Sequence, residues 1–169
     1  MFPQKFKRPQ LNIPLSTFDK TIEITTLLLI LGHFIFVAMM YSSLPEIIPT
    51  HFNASGKSDG FGEKIGFWAM PIINIFLSLF LFFLNKRPDL MNYPIPITEE
   101  NAQKQYQNMS MMMRILNLSI TLVFIMISYF TVKVAHDHHP QIGSIFLLLP
   151  LLIIMSPVLY FTIKSFNFK

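Results

Sequence analysis

The sequence predicts an all-α integral membrane protein, a bundle of four transmembrane helices with the N-terminus and the C-terminus both cytoplasmic. Three observations lead there. The 169 residues are 52% hydrophobic and only 13% charged, about half the charged share that a water-facing surface needs. The apolar residues are gathered into blocks of roughly 20, each long enough as a helix to cross a ~30 Å hydrocarbon core. Lys and Arg are divided unevenly between the polar segments, ten on one side and three (Lys57, Lys64 and Lys133) on the other. Positive residues are retained on the cytoplasmic side, which sets the orientation.

Residues 1–20 form a basic cytoplasmic arm whose three prolines argue for an irregular chain. Transmembrane helix 1 is expected over 21–43. Its apolar run exceeds the roughly 7–15 residues of a signal-peptide core and has no A-x-A cleavage site, so it reads as a retained anchor. An extracytoplasmic segment over 44–64 precedes transmembrane helix 2 at 65–84. Tyr41 and Trp68 fall at the outer ends of these two helices, as an aromatic belt requires. Pro71 lies close to the start of helix 2, where a missing donor costs little.

A cytoplasmic loop and helix extension occupies 85–113. It opens with Lys86-Arg87-Pro88 and contains the extended run Tyr93-Pro94-Ile95-Pro96. Thr98 then reads as an N-cap, with Glu99 and Glu100 in the first turn. Transmembrane helix 3 spans 114–134. It either starts in the cytoplasm near Thr98 or follows a separate surface helix broken near Ser110. An outer turn at 135–141, transmembrane helix 4 at 142–163 with kinks at Pro150 and Pro157, and a cytoplasmic tail at 164–169 complete the chain.

Polar residues inside the spans indicate which helix faces meet. At about 100° per residue, Asn117, Thr121, Ser128 and Thr131 fall within about 80° of one another. This face points into the bundle, within reach of Asn74 and Ser78 on helix 2. Hydrogen-bonded packing between helices is the ordinary reading, and a transported-substrate path is the alternative. No carboxylate lies well inside the spans. His33 is the ionisable side chain at depth, read as a neutral packing residue rather than a proton relay, which needs a second titratable group nearby.

The richest stretch is Leu44 to Lys64, LPEIIPTHFNASGKSDGFGEK. Pro45 and Pro49 keep its first half extended, and Gly56 and Gly60 sit in two turn signals where φ > 0 is open to glycine. These four residues shape the loop. Phe52 and Phe61 flank the turns and lean toward the interface, leaving His51, Asn53, Asp59 and Lys64 as candidate ligand-binding groups held near one another. The plainer alternative is that Asn53 and Asp59 only cap turns and Lys64 only anchors helix 2 at the headgroups.

Other chemistries fit less well. An EF-hand starting at Asn53 would place Ser58 and Lys64 where Gly and Glu are required. Asn53-Ala54-Ser55 matches a glycosylation sequon, a short pattern common by chance. His51, His136, His138 and His139, with Asp59 and Asp137, could ligate zinc, nickel or copper, but adjacent histidines in a short turn are a weak signal, and no metal site is assigned. There is no cysteine, phosphate-binding glycine loop, G-x-S-x-G or HExxH. The chain therefore reads as non-enzymatic and without a cofactor.

The 44–64 stretch resembles the domain of unknown function 1648 family through Leu44, Pro45, Ile48, Pro49, His51, Asn53, Gly56, Asp59, Gly60 and Lys64. The second polar stretch is similar to a segment that often follows that domain, through Asn92, Tyr93, Pro94, Thr98, Glu100, Asn101, Gln105 and Tyr106. The resemblance extends to SdpI-like immunity proteins, which protect a bacterium from a secreted toxin and signal by sequestering a repressor. It implies residence in the bacterial cytoplasmic (inner) membrane and an outer loop that carries the function. The expected function is envelope ligand binding, immunity or signalling through that loop. Expected partners are the lipid bilayer and a peptide toxin or other envelope ligand, with no nucleic acid. The alternatives are an accessory subunit of a transporter or envelope complex and, favoured only by the His and Asp grouping, a membrane enzyme.

Overall fold

A computed structural model describes residues 8–137, 143 and 145–168. The element order is α1 (Thr17–Tyr41), β1 (Ile47–Phe52), β2 (Ser58–Glu63), α2 (Ala69–Asn85), α3 (Ala102–His136) and α4 (Ile145–Ser165), with short 3-10 helices at Lys64–Trp68 and Pro88–Leu90. Four helical segments are long and apolar enough to cross a membrane. The all-α expectation needs one correction: β1 and β2 form a small antiparallel sheet.

The start of α1 also departs from the expected irregular arm. Ser16 Oγ accepts from the Asp19 amide at 3.1 Å, and Asp19 Oδ2 accepts from the Ser16 amide at 2.8 Å. This reciprocal capping box satisfies amides that a helix start leaves orphaned. Residues Thr17 to Lys20 therefore belong to the helix. The preceding arm crosses the end of the bundle, where Arg8 donates to the carbonyls of Asp89 (3.2 Å) and Met91 (2.5 Å) and lies 5.4 Å from the centre of the Tyr93 ring.

Helix α3 runs unbroken through Ser110. At about 1.5 Å per residue it reaches roughly 50 Å, so it outlasts a ~30 Å hydrocarbon core. Thr98 and Asn101 cap each other reciprocally one turn before it, with the Thr98 amide bonded to Asn101 Oδ1 at 2.9 Å and the Asn101 amide to Thr98 Oγ1 at 3.2 Å. Glu99 and Glu100 consequently lie in the turn ahead of the helix rather than in its first turn. Pro71 is the third residue of α2, just after the 3-10 turn Lys64–Trp68, whereas Pro150 and Pro157 are interior to α4.

Helix α3 is the central post against which α1, α2 and α4 all pack. Its early turns hold the end of α4: Gln105 Nε2 donates to Ser165 O (2.9 Å), Ser165 Oγ donates to Gln105 Oε1 (2.5 Å), and Asn108 Nδ2 donates to Phe161 O (2.8 Å). Arg114 binds α1 through Asp19 (3.1 Å) and Glu23 (2.8 Å), with its side chain only 9% exposed. Deeper in the bundle His33, Asn74, Thr121 and Ser128 are buried together. Asn74 Nδ2 donates to His33 Nδ1 at 3.3 Å, so the ring proton sits on Nε2 and points at Ser128 Oγ, 2.8 Å away. Thr121 Oγ1 donates to Asn74 Oδ1 at 3.3 Å. Three helices are thus joined by side chains whose polar groups find partners in one another, as hydrocarbon demands. Phe76, Phe80, Leu31, Leu152 and Ile163 are exposed on the outer faces of the helices, as lipid-facing residues are.

Candidate functional site

The segment expected as a folded-back loop is a β-hairpin. Ile47 and Ile48 open β1 with β-branched residues, and Asn53 to Lys57 supply a Gly-containing turn before β2, a combination that favours strand–turn–strand. In the turn, Asn53 Oδ1 accepts from the Ser55 amide (3.0 Å), Ser55 Oγ (2.7 Å) and the Lys57 amide (3.1 Å), while the Asn53 amide donates to Lys57 O (2.9 Å). Gly56 takes φ +75° there, and a Cβ on it would overlap the backbone of Gly143.

The register pairs Ile47 with Glu63, Ile48 with Gly62, Pro49 with Phe61, His51 with Gly60 and Phe52 with Ser58, with irregularities on both sides of His51. A bulge of this kind re-aims a side chain. Gly60 is needed at the pairing, because a Cβ there would stand 2.8 Å from the His51 Cβ. His51 Nδ1 meets Asp59 Oδ1 at 2.5 Å, and the two side chains remain 70% and 44% exposed. They form a polar pair presented outward by a constrained backbone.

The hairpin is fixed to the bundle along its length. Ile48 is buried with Val37, Leu44 and Phe67. The Phe52 ring packs edge-on against Phe146 of α4 with centroids 5.4 Å apart, whereas Phe61 is exposed. At the base the Lys64 amide donates to Glu46 O (2.9 Å), and its ammonium bonds Glu46 Oε1 (2.8 Å) and lies 5.4 Å from the Tyr41 ring centre. His136 Nε2 donates to Ser43 O at 2.9 Å, tying the end of α3 to the turn after α1.

Of the four candidate binding residues, only His51 and Asp59 are brought together. Asn53 is occupied in shaping the tip, and Lys64 closes the base with Glu46, for which the residue types alone give no signal. Gly56 and Gly60 have steric reasons for their identity, and Pro49 lies within β1 while Pro45 leads into it. Among the described residues, no three His, Asp or Glu side chains meet as a metal would require. His138 and His139 lie outside the described residues.

Beneath β1 is a cleft of about 510 Å³. Pro49, His51 and Phe52 line it from the hairpin, and Phe67 of the 3-10 helix, Met70 of α2 and Phe124 of α3 supply apolar walls. A ligand with one polar and one apolar part would meet both its needs here: hydrogen bonding at His51 and Asp59, and burial below them.

Residues 28–75 match the model of a domain of unknown function (DUF1648). They form a DUF1648 domain. In structural terms the domain comprises the latter part of α1, the whole hairpin and α2 as far as Ile75, so the His51–Asp59 pair and its supporting core lie inside it. An uncharacterized protein of Archaeoglobus fulgidus is 32% identical over 89 residues, which is 48% of this chain and 49% of that protein. The chain thus spans about half the length of this relative. No solved structure matches.

Proposed function

We propose that this multi-pass membrane protein is a non-enzymatic receptor for an amphipathic envelope ligand, a peptide toxin or a comparable molecule, acting in immunity or signalling at the bacterial cytoplasmic membrane. The Lys and Arg distribution supports an orientation with both termini cytoplasmic and the DUF1648 hairpin facing outward. The observation that carries the reading is the exposed His51–Asp59 pair, held on a bulged hairpin directly above an apolar cleft. A hairpin tied at tip, middle and base gives such a ligand a preorganised surface, which lowers the ordering cost of binding.

The test replaces His51 and Asp59 together by alanine, compared with Asn53→Ala, which removes the tip's acceptor instead. With membrane abundance matched, the double variant is expected to reproduce the phenotype of gene deletion. Full wild-type behaviour of His51→Ala/Asp59→Ala would exclude the hairpin as the binding surface.

A further inference from the structure

At the opposite end of the bundle from the hairpin, α1 and α2 diverge over the floor made by α3. A cleft of about 440 Å³ opens between them, with Leu27 and Ile30 on one wall, Ile75, Leu79 and Phe82 on the other, and Asn117 in the floor. It adjoins a second cavity of about 340 Å³ under the N-terminal arm, and Glu23, Phe82, Asn85 and Arg114 line both. From Asn85 back to Ile75 the α2 wall covers ten helical rises, about 15 Å, or one leaflet of a ~30 Å hydrocarbon core. The apolar part therefore lies at acyl-chain depth and the polar part at the level where headgroups begin.

The charges at the polar end are complementary to a particular kind of headgroup. Arg114 is already engaged by Asp19 and Glu23. Lys86, which lines the second cavity, makes no ion pair among the described residues, and its ammonium rests 4.7 Å from the Phe82 ring centre. It is the cation left for a phosphate. Asn85 and Asn117 donate their amide NH2 groups to Ser110 O and Ser78 O, and their Oδ1 atoms are buried without a partner among the described residues. Those two oxygens are closed off from the cavity, and the accessible acceptor beside them is the Glu23 carboxylate, 29% exposed with its Oε1 on Arg114 Nε at 2.8 Å.

We propose that this two-part cleft is a phospholipid site, distinct from the hairpin. One acyl chain lies between α1 and α2, the phosphate sits on Lys86, and a donor-bearing headgroup of the ethanolamine type faces the Glu23 carboxylate. The occupant comes from the bilayer itself, entering laterally where α1 and α2 part.

Full-length protein in mild detergent would be incubated with phosphatidylethanolamine, phosphatidylcholine or diacylglycerol of identical chains, and the bound lipid counted by native mass spectrometry. Wild type is expected to retain one phosphatidylethanolamine per chain and severalfold less of the other two. Lys86→Ala, an exposed position, should lower retention about fivefold, since a basic residue near an anionic headgroup contributes about 1 kcal/mol. Leu79→Trp should fill the apolar part and reduce retention of every lipid, while Lys164→Ala, a cation elsewhere beside aromatic rings, should change nothing. Equal retention of diacylglycerol or of phosphatidylcholine by wild type would overturn the headgroup assignment and with it the proposal. So would wild-type retention by both Lys86→Ala and Leu79→Trp as single, monodisperse species.

Discussion

His33 Nε2 and Ser128 Oγ lie 2.8 Å apart between α1 and α3, with both residues essentially inaccessible to solvent. The contact joins two helices far apart in sequence, and it leaves His33 a hydrogen-bonded connector between Asn74 and Ser128 rather than one member of a titrating pair.

Removing the connector should expose its neighbours. His33→Leu leaves Asn74 and Ser128 each short of a partner, and a loss of about 1–3 kcal/mol is expected from unfolding in detergent. A double-mutant cycle with Ser128→Ala should give a coupling of about 1 kcal/mol. Strict additivity of the two substitutions would show that the pair contributes nothing.

Gly60 faces His51 across the hairpin with no room for a side chain. Gly60→Ala should cost about 1–3 kcal/mol through overpacking and loosen the strand amides, as read by hydrogen exchange. Gly62→Ala, whose Cβ would meet Thr50 Cγ2 at 3.1 Å, should be milder. Equal protection in Gly60→Ala and wild type would contradict this register.

Arg114 is nearly enclosed and bridges two carboxylates. Arg114→Met strands Asp19 and Glu23 beside apolar surface, with an expected loss of about 3–5 kcal/mol in thermal or denaturant unfolding. Adding Asp19→Asn and Glu23→Gln should recover part of it, because neutral amides no longer repel each other. No recovery would mean that lost packing by the Arg114 stem dominates.

Tyr93, between the arm and the loop after α2, donates to Pro88 O at 2.8 Å. Burial, aided by nearby Tyr106 and Asp89 and opposed by Arg8, raises its pKa above that of an ordinary tyrosine. The folded state therefore holds the phenolic proton longer than the unfolded chain does. Its contribution is complete below the unfolded value of about 10 and disappears as pH rises through the higher folded value. Stability should accordingly fall above about pH 10, and Tyr93→Phe should flatten that limb. The tyrosinate absorbance of wild type minus Tyr93→Phe should rise later than that of free tyrosine; coincidence of the two would remove the effect.

Much of the site was readable from residue types, and the misses have definable causes. The Ser16–Asp19 capping box is written as S-x-x-D, within an arm whose three prolines otherwise signal irregular chain. The hairpin was concealed because Asn53-Ala54-Ser55-Gly56 and Ser58-Asp59-Gly60 look like two separate turns, whereas the second is a strand whose glycine accommodates His51. Lys64 is thirteen positions from His51 in the chain, but the hairpin pairs His51 with Gly60 and leaves Lys64 at the base, where Glu46 takes it.

Local physics, namely block hydrophobicity and the turn chemistry around Gly56, was enough to specify four spans and the stretch that carries the DUF1648 domain. Those properties depend on neighbours in the chain, and the amino-acid order contains them. What only the tertiary structure decided is partner choice over long separations: His33 with Ser128, Arg114 with Asp19 and Glu23, and Phe52 with Phe146. Such pairings follow from how the helices rotate and diverge when packed around α3. That packing alone placed a cleft beneath the His51–Asp59 pair and another between α1 and α2.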